Sequence, residues 1–223
     1  MVKGLDTFRN YFADYEEQYV LIGGAACDII FESNDATFRA TRDLDMVLIV
    51  EALTPEFGER FWKFIQNGRY RNKTTSVQKP QFYRFDKPED DTYPKMIELF
   101  CRNNFELRKM TGITPIHIDD SVSSLSAILL DDEYYKALLE GKVVRNGLSV
   151  LRPEYLILFK AKAYLDLKQM KEKGEAVDSS DIKKHKKDIL RITAELMLES
   201  VSELPAKVKL DIDTFIALSL IHI

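Results

Sequence analysis

The stretch Arg39-Ala40-Thr41-Arg42-Asp43-Leu44-Asp45-Met46-Val47-Leu48-Ile49-Val50 decides how this chain reads. Its apolar half has the length and composition of a buried strand, 43–50. In a strand, residues two apart point to the same face. Asp43 and Asp45 therefore present two carboxylates side by side, and Leu44 turns to the opposite face. Two like charges so close repel each other, and hard divalent cations such as Mg²⁺ prefer carboxylate oxygens. Upstream, a second apolar run, Tyr19-Val20-Leu21-Ile22, ends in Gly23-Gly24. Glycines at a strand end let backbone amides come close to an anion. Carboxylates suited to a metal, beside a glycine grip suited to phosphate, point to a nucleotide-handling site.

Composition sets the bounds. With 223 residues the chain is long enough for one large domain or two small ones. Apolar residues make up 45% and charged residues 30%, so a sizeable core can form without staples. The net charge of −4 argues against a whole-surface affinity for nucleic acid and leaves room only for a local basic patch. Cys27 and Cys101 are too few for a disulfide framework and read as reduced thiols of a cytoplasmic protein. The N-terminus lacks the apolar segment of a signal peptide. No stretch reaches the ~18–20 apolar residues of a membrane span.

Outward from the two strands, periodicity supplies the other elements. Leu5, Phe8, Tyr11, Phe12 and Tyr15 predict an amphipathic helix over 5–17. A helix follows the glycines, from Ala25 to Phe31. Thr54-Pro55-Glu56 opens another that stops at Asn67-Gly68. Phe82–Phe85 and Met96–Phe100 read as strands joined by a polar loop. Helices are expected at 127–139, 153–170 and, capped by Ser180, 181–199, with a short hairpin at 141–151. The fold class is thus α+β. We expect an N-terminal domain, 1–120, that carries the acids, and a mainly helical C-terminal domain, 121–217. Residues 218–223, Leu-Ser-Leu-Ile-His-Ile, match the translation of a transposon-end adapter used in sequencing libraries. We expect them to be a non-native read-through tail on a chain that natively continues, and assign no function to His222.

Taken together, Gly23-Gly24-Ala25-Ala26 and Arg39-x-Thr41-x-Asp43-Leu44-Asp45 resemble the AbiEii-type nucleotidyltransferases. These are the toxin halves of abortive-infection toxin–antitoxin pairs, within the DNA polymerase β-like nucleotidyltransferase superfamily. Lys160-Ala161-Lys162-Ala163 after Arg152-Pro153-Glu154, and His185-Lys186-Lys187-Asp188-Ile189-Leu190, are similar to the family's later segments. The resemblance spans about residues 15–200 and is most specific in the Gly-Gly and Asp-x-Asp parts.

The resemblance implies a nucleotidyltransferase-fold mixed β-sheet with flanking helices. It implies two Mg²⁺ ions held by Asp43, Asp45 and a third carboxylate. Glu98 is the candidate, because a lone acid in Lys95-Met-Ile-Glu-Leu-Phe100 is costly unless paired or metal-bound; many relatives carry Asp there. The implied reaction transfers a nucleotide from NTP to a hydroxyl. Gly23, Gly24, Arg39, Thr41, Arg42, Lys160, Lys184 and Asp188 would hold the nucleotide or its triphosphate. Implied partners are NTP, a tRNA or other RNA acceptor, and a cognate antitoxin protein.

Other features have plainer readings. Lys160 and Lys162 suit snorkelling helix lysines as well as a functional role. Lys183–Lys187 suits a solvated helix face or contact with RNA phosphates. Arg69, Tyr70, Arg71, Lys73, Lys79, Tyr83 and Arg84 mix bases and aromatics, which suits a flexible loop or single-stranded RNA. His117, His185 and Cys27 lack partners at zinc-ligand spacing. Two competing functions stand beside the RNA-directed enzyme. One is a nucleotidyltransferase acting on small molecules, as antibiotic-modifying enzymes do. The other is a catalytically silent binding module of the same fold.

Overall fold

The computed structural model describes residues 2–72, 82–101, 128–129, 131–201 and 203–220. Those within Met1–His117 and Lys142–Leu151 form one compact unit, and those within Ile118–Gly141 and Arg152–Ile223 form a second.

The first unit is built on a mixed sheet. Its strands are β1 (Tyr19–Ile22), β2 (Asp43–Leu48), β3 (Arg71–Asn72), β4 (Phe82–Asp86), β5 (Met96–Cys101), β6 (Lys142–Arg145) and β7 (Leu148–Leu151). Their spatial order is β3-β4-β5-β2-β1-β7-β6. The β2–β5 and β1–β7 pairs are parallel, and the others are antiparallel. All four residues of β1 are buried, as its unbroken apolar run requires of an interior strand.

Three helices flank these strands: α1 (Leu5–Tyr11), α2 (Gly23–Glu32) and α3 (Pro55–Asn67). Helix α2 starts with no intervening loop, because Gly23 takes φ +66° and turns the chain at once. Helix α3 begins as its sequence predicts. The Thr54 hydroxyl accepts from the Phe57 amide at 3.3 Å, and Pro55 takes the first turn.

Phe57, Phe61 and Phe64 lie on one face of α3 and meet the rings of α1 and the sheet. The ring of Phe12 has those of Phe8, Tyr19, Phe57, Phe61 and Phe64 at 4.6 to 6.3 Å. Phe61 also meets Phe85 of β4 at 5.7 Å. Tyr19 and Phe85 point to the face that bears Leu44, which is thereby committed to the core. The other face is left to Asp43 and Asp45.

The hairpin β6–β7 belongs to this sheet. Asn146 and Gly147 turn it with φ of 51° and 71°, the left-handed pair that a two-residue hairpin favours. Every residue of β7 is buried, and Leu21 of β1 pairs with Val150.

The second unit holds α4 (Asp132–Gly141), α5 (Pro153–Glu172), α6 (Ser179–Glu195) and α7 (Ala206–Leu220). Ala161 and Tyr164 of α5, Ile189 of α6 and Phe215 of α7 form its core. No helix among the described residues is long and apolar enough to cross a membrane.

Several boundaries differ from the sequence reading. The first helix ends at Tyr11 rather than at residue 17. Asp14 takes φ +73°, and Glu16–Gln18 forms a single 3-10 turn that leads into β1. The cap of α6 is Asp178, whose carboxylate accepts from the Ser180 amide at 2.8 Å, so Ser180 lies inside the helix. Helix α7 was not expected at all. It includes Leu218, Ser219 and Leu220 of the suspected tail, while Ile221, His222 and Ile223 lie outside the described residues.

Phe12 is fully buried at the centre of the aromatic cluster. Phe12→Ala is expected to lower unfolding stability by about 3–5 kcal/mol. Urea denaturation followed by circular dichroism reads this directly, and a loss below about 1 kcal/mol contradicts the central role.

Candidate active site

The site is one row of residues across the sheet. In the parallel pair β2–β5, Asp43 lies beside Met96 and Asp45 beside Glu98. In the antiparallel pair β4–β5, Arg84 lies beside Glu98, and in β1–β2, Ile22 lies beside Asp45. Residues paired this way point to the same face. The order along the row is therefore Arg84, Glu98, Asp45, Ile22, at the ~4.8 Å spacing of adjacent strands. Asp43 stands two residues before Asp45 on that same face. Leu44 is fully buried on the other side, whereas both aspartates keep partial access to solvent.

The two glycines bound the row at its β1 end. A Cβ on Gly23 would sit 1.9 Å from Oδ2 of Asp45. A Cβ on Gly24 would sit 2.7 Å from Oγ1 of Thr41. Each glycine is thus the bare floor on which one side chain of the Thr41-x-Asp43-x-Asp45 segment rests. The first-turn amides of a helix have no partner within the helix, and α2 opens on these glycines, next to the carboxylate. Arg39 lies with its guanidinium carbon 5.4 Å from the ring centre of Phe38, and Arg42 is exposed.

At the β4 end, Glu98 is nearly buried and paired. Arg84 Nε donates to Glu98 Oε1 at 2.7 Å, and Nη2 donates to the same oxygen. Burial of a carboxylate in so apolar a strand is tolerated because this guanidinium answers it. The partner comes from the basic and aromatic stretch that suggested RNA contact. In that stretch Arg69 and Arg71 are exposed, whereas Lys73 and Lys79 lie outside the described residues.

Sequence reasoning named Glu98 but missed Arg84 as its partner. The two are fourteen positions apart, and only the strand register joins them.

The donor set suits a hard divalent cation, since Asp43 and Asp45 offer carboxylate oxygens from one strand face. The third carboxylate is in the row but turned to Arg84. Among the described residues no group of three His, Cys, Asp or Glu side chains is gathered closely enough to hold a metal ion. The fit is to the aspartate pair, with Glu98 one strand away.

Lys160, Lys184 and Asp188 belong to the second unit. Lys160 of α5 and Asp188 of α6 are both deeply buried, and Lys160 Nζ donates to Asp188 Oδ2 at 2.7 Å. Lys184, one turn before Asp188, is exposed. Lys162 binds Asp166 at 2.6 Å. A groove of about 460 Å³ runs beside α6, with Tyr164, Ile182 and Leu190 as its apolar lining and Lys168, Lys183 and Lys186 among its charges.

No protein-family model matches the chain, and no curated protein matches it. Among solved structures, the chain is similar to the crystal structure of an antigenic nucleotidyltransferase-like protein from Paracoccidioides brasiliensis. The two are 16% identical, and the match covers 96% of this chain and 88% of that one with a TM-score of 0.44.

Gly23→Ala places a methyl group on the Asp45 carboxylate and a side chain at a left-handed backbone position. It is expected to cost about 1–3 kcal/mol of stability, read by urea denaturation, and to move Asp45 visibly in a crystal structure. An unstrained, fully stable variant contradicts this packing. Lys160→Ala removes the counter-charge from the buried Asp188 and is expected to cost about 3–5 kcal/mol, most of it recovered in Lys160→Met with Asp188→Leu. Equal losses in the single and double variants show that something other than the lost counter-charge sets the cost.

Proposed function

We propose that the chain is a Mg²⁺-dependent nucleotidyltransferase that joins a nucleotide from NTP to a hydroxyl acceptor. The observation that carries this reading is the fit of Gly23 and Gly24 against Asp45 and Thr41. The glycines that open α2 and the carboxylate pair thereby share one end of the sheet, an arrangement that suits a phosphate beside a metal ion.

In the proposed reaction the acceptor oxygen forms a bond to the α-phosphorus. The bond from that phosphorus to the bridging oxygen breaks, pyrophosphate leaves, and the hydroxyl proton passes to solvent. Asp43 and Asp45 would hold Mg²⁺, with Glu98 as the third carboxylate. Bound there, the metal would supply charge neutralisation for the triphosphate and a lowered barrier to deprotonation of the hydroxyl. The amides of Gly23 and Gly24 would donate to phosphate oxygens at the start of α2, where the helix dipole favours negative charge. Thr41, seated on Gly24, would keep a hydroxyl beside that grip. Arg39 and Arg42 would offset phosphate charge, and positioning rather than covalent chemistry would be the protein's main contribution.

By the AbiEii-type resemblance, the role is the toxin of a toxin–antitoxin pair, and the acceptor is tRNA or another RNA. Lys160, Lys184 and Asp188 would serve the nucleotide by the same resemblance. Lys160 would do so through its hold on Asp188.

The test offers labelled NTPs and Mg²⁺ with total tRNA, and separately with small hydroxyl compounds. Label is expected on RNA. Asp43→Asn with Asp45→Asn is expected to reduce transfer by roughly 10³-fold, the equivalent of a few kcal/mol of transition-state stabilisation. Label that appears only on small hydroxyl compounds selects the small-molecule enzyme. No transfer to any acceptor selects the silent binding module. Transfer that persists in the double variant rejects the metal mechanism.

A further inference from the structure

We propose that Arg84 is a built-in counter-cation that competes with a divalent metal for Glu98 and so sets how tightly the site binds that metal. The inference rests on the metal-site reading given above.

Three carboxylates, Asp43, Asp45 and Glu98, stand on one face of two neighbouring strands. Their charges repel across a sheet spacing of ~4.8 Å, and Glu98 is also nearly buried. Such a cluster needs positive charge close by when no metal is bound. Arg84 is on the strand next to Glu98 and in register with it. Its Nε–H meets Glu98 Oε1 at 2.7 Å, and its Nη2 turns to the same oxygen. The side chains keep only 19% and 9% of their exposure, so little solvent screens the pair.

This contact also accounts for the incomplete cage. Glu98 is in the right strand and register to join Asp45, yet its carboxylate is turned toward β4. A metal that recruits Glu98 must take the oxygen from the guanidinium or share the carboxylate with it. Either way a fixed positive charge stands one strand beyond the third ligand, and it opposes a second cation. Even with water-like screening, removing one unit charge at about 7 Å from a divalent ion is worth roughly a tenfold change in affinity.

Manganese provides the probe, because free Mn²⁺ can be counted by electron paramagnetic resonance without any turnover. The full chain is titrated with Mn²⁺ alone as wild type, Arg84→Gln, Glu98→Gln and the double variant, each checked for folding by circular dichroism. Arg84→Gln is expected to tighten Mn²⁺ binding roughly tenfold. Glu98→Gln is expected to weaken it, and Arg84→Gln in the Glu98→Gln background is expected to restore only part of that loss. Arg84→Lys keeps the charge and should bind Mn²⁺ within about twofold of wild type. If Arg84→Gln fails to fold, Arg84→Met retains the apolar stem and replaces it. Equal or weaker Mn²⁺ binding by a folded, charge-removed variant overturns the competition while leaving the metal site standing. A folded wild type and a folded Arg84→Gln that both bind no Mn²⁺ overturn the metal reading itself, and the competition with it.

Discussion

The contact on which the site depends is the one between Gly23 and the Asp45 carboxylate. A side chain at position 23 would overlap Oδ2 and force the carboxylate to move. The same glycine has the positive φ that lets strand β1 become helix α2 without a loop. One missing side chain therefore performs two tasks. It brings the start of a helix beside the carboxylate, and it leaves the room that the carboxylate occupies. Everything on the acidic face of the sheet is placed relative to that junction, through the pairing of Ile22 with Asp45 and of Asp45 with Glu98.

The two faces of the sheet carry opposite burdens. One face takes the rings of Phe8, Phe12, Phe61 and Phe64, and its interactions are apolar and cumulative. The other takes charge, and its interactions are few and specific. A one-residue slip of β2 would exchange Leu44 with an aspartate and spoil both at once. The aromatic packing under the sheet thus holds the acidic register above it, from the opposite face.

Much of this was readable from local pattern. Asp43-Leu44-Asp45 alternates cleanly, the Gly-Gly ends an apolar run, and Glu98 is conspicuous as an acid inside an apolar strand. What escaped has identifiable causes. The aromatic spacing of α1 continues past its end, so periodicity alone overshoots to residue 17, while Asp14 turns the backbone. Helix α7 was hidden because Val208, Leu210 and Ile212 alternate with polar residues, as a strand would. Packing shows the helical period instead. Val208 and Phe215 are buried, Ile212 packs half-buried against the core, and Leu210 is 65% exposed. The Arg84–Glu98 pair depends on register between separate strands, which no local window contains.

The return of the chain at β7 has a consequence for how the protein is made. Leu21 finds its partner Val150 only after more than a hundred intervening residues have left the ribosome. Until then β1, buried on every residue in the finished sheet, has one bare hydrogen-bonding edge. Bare apolar edges are templates for pairing with other chains. Synthesis therefore passes through a stage in which the sheet is unsealed, and contacts of such long sequence separation form slowly. A fragment cut near residue 120 would stay at that stage for good. The acids and glycines would be present, but the strand beside them would remain open.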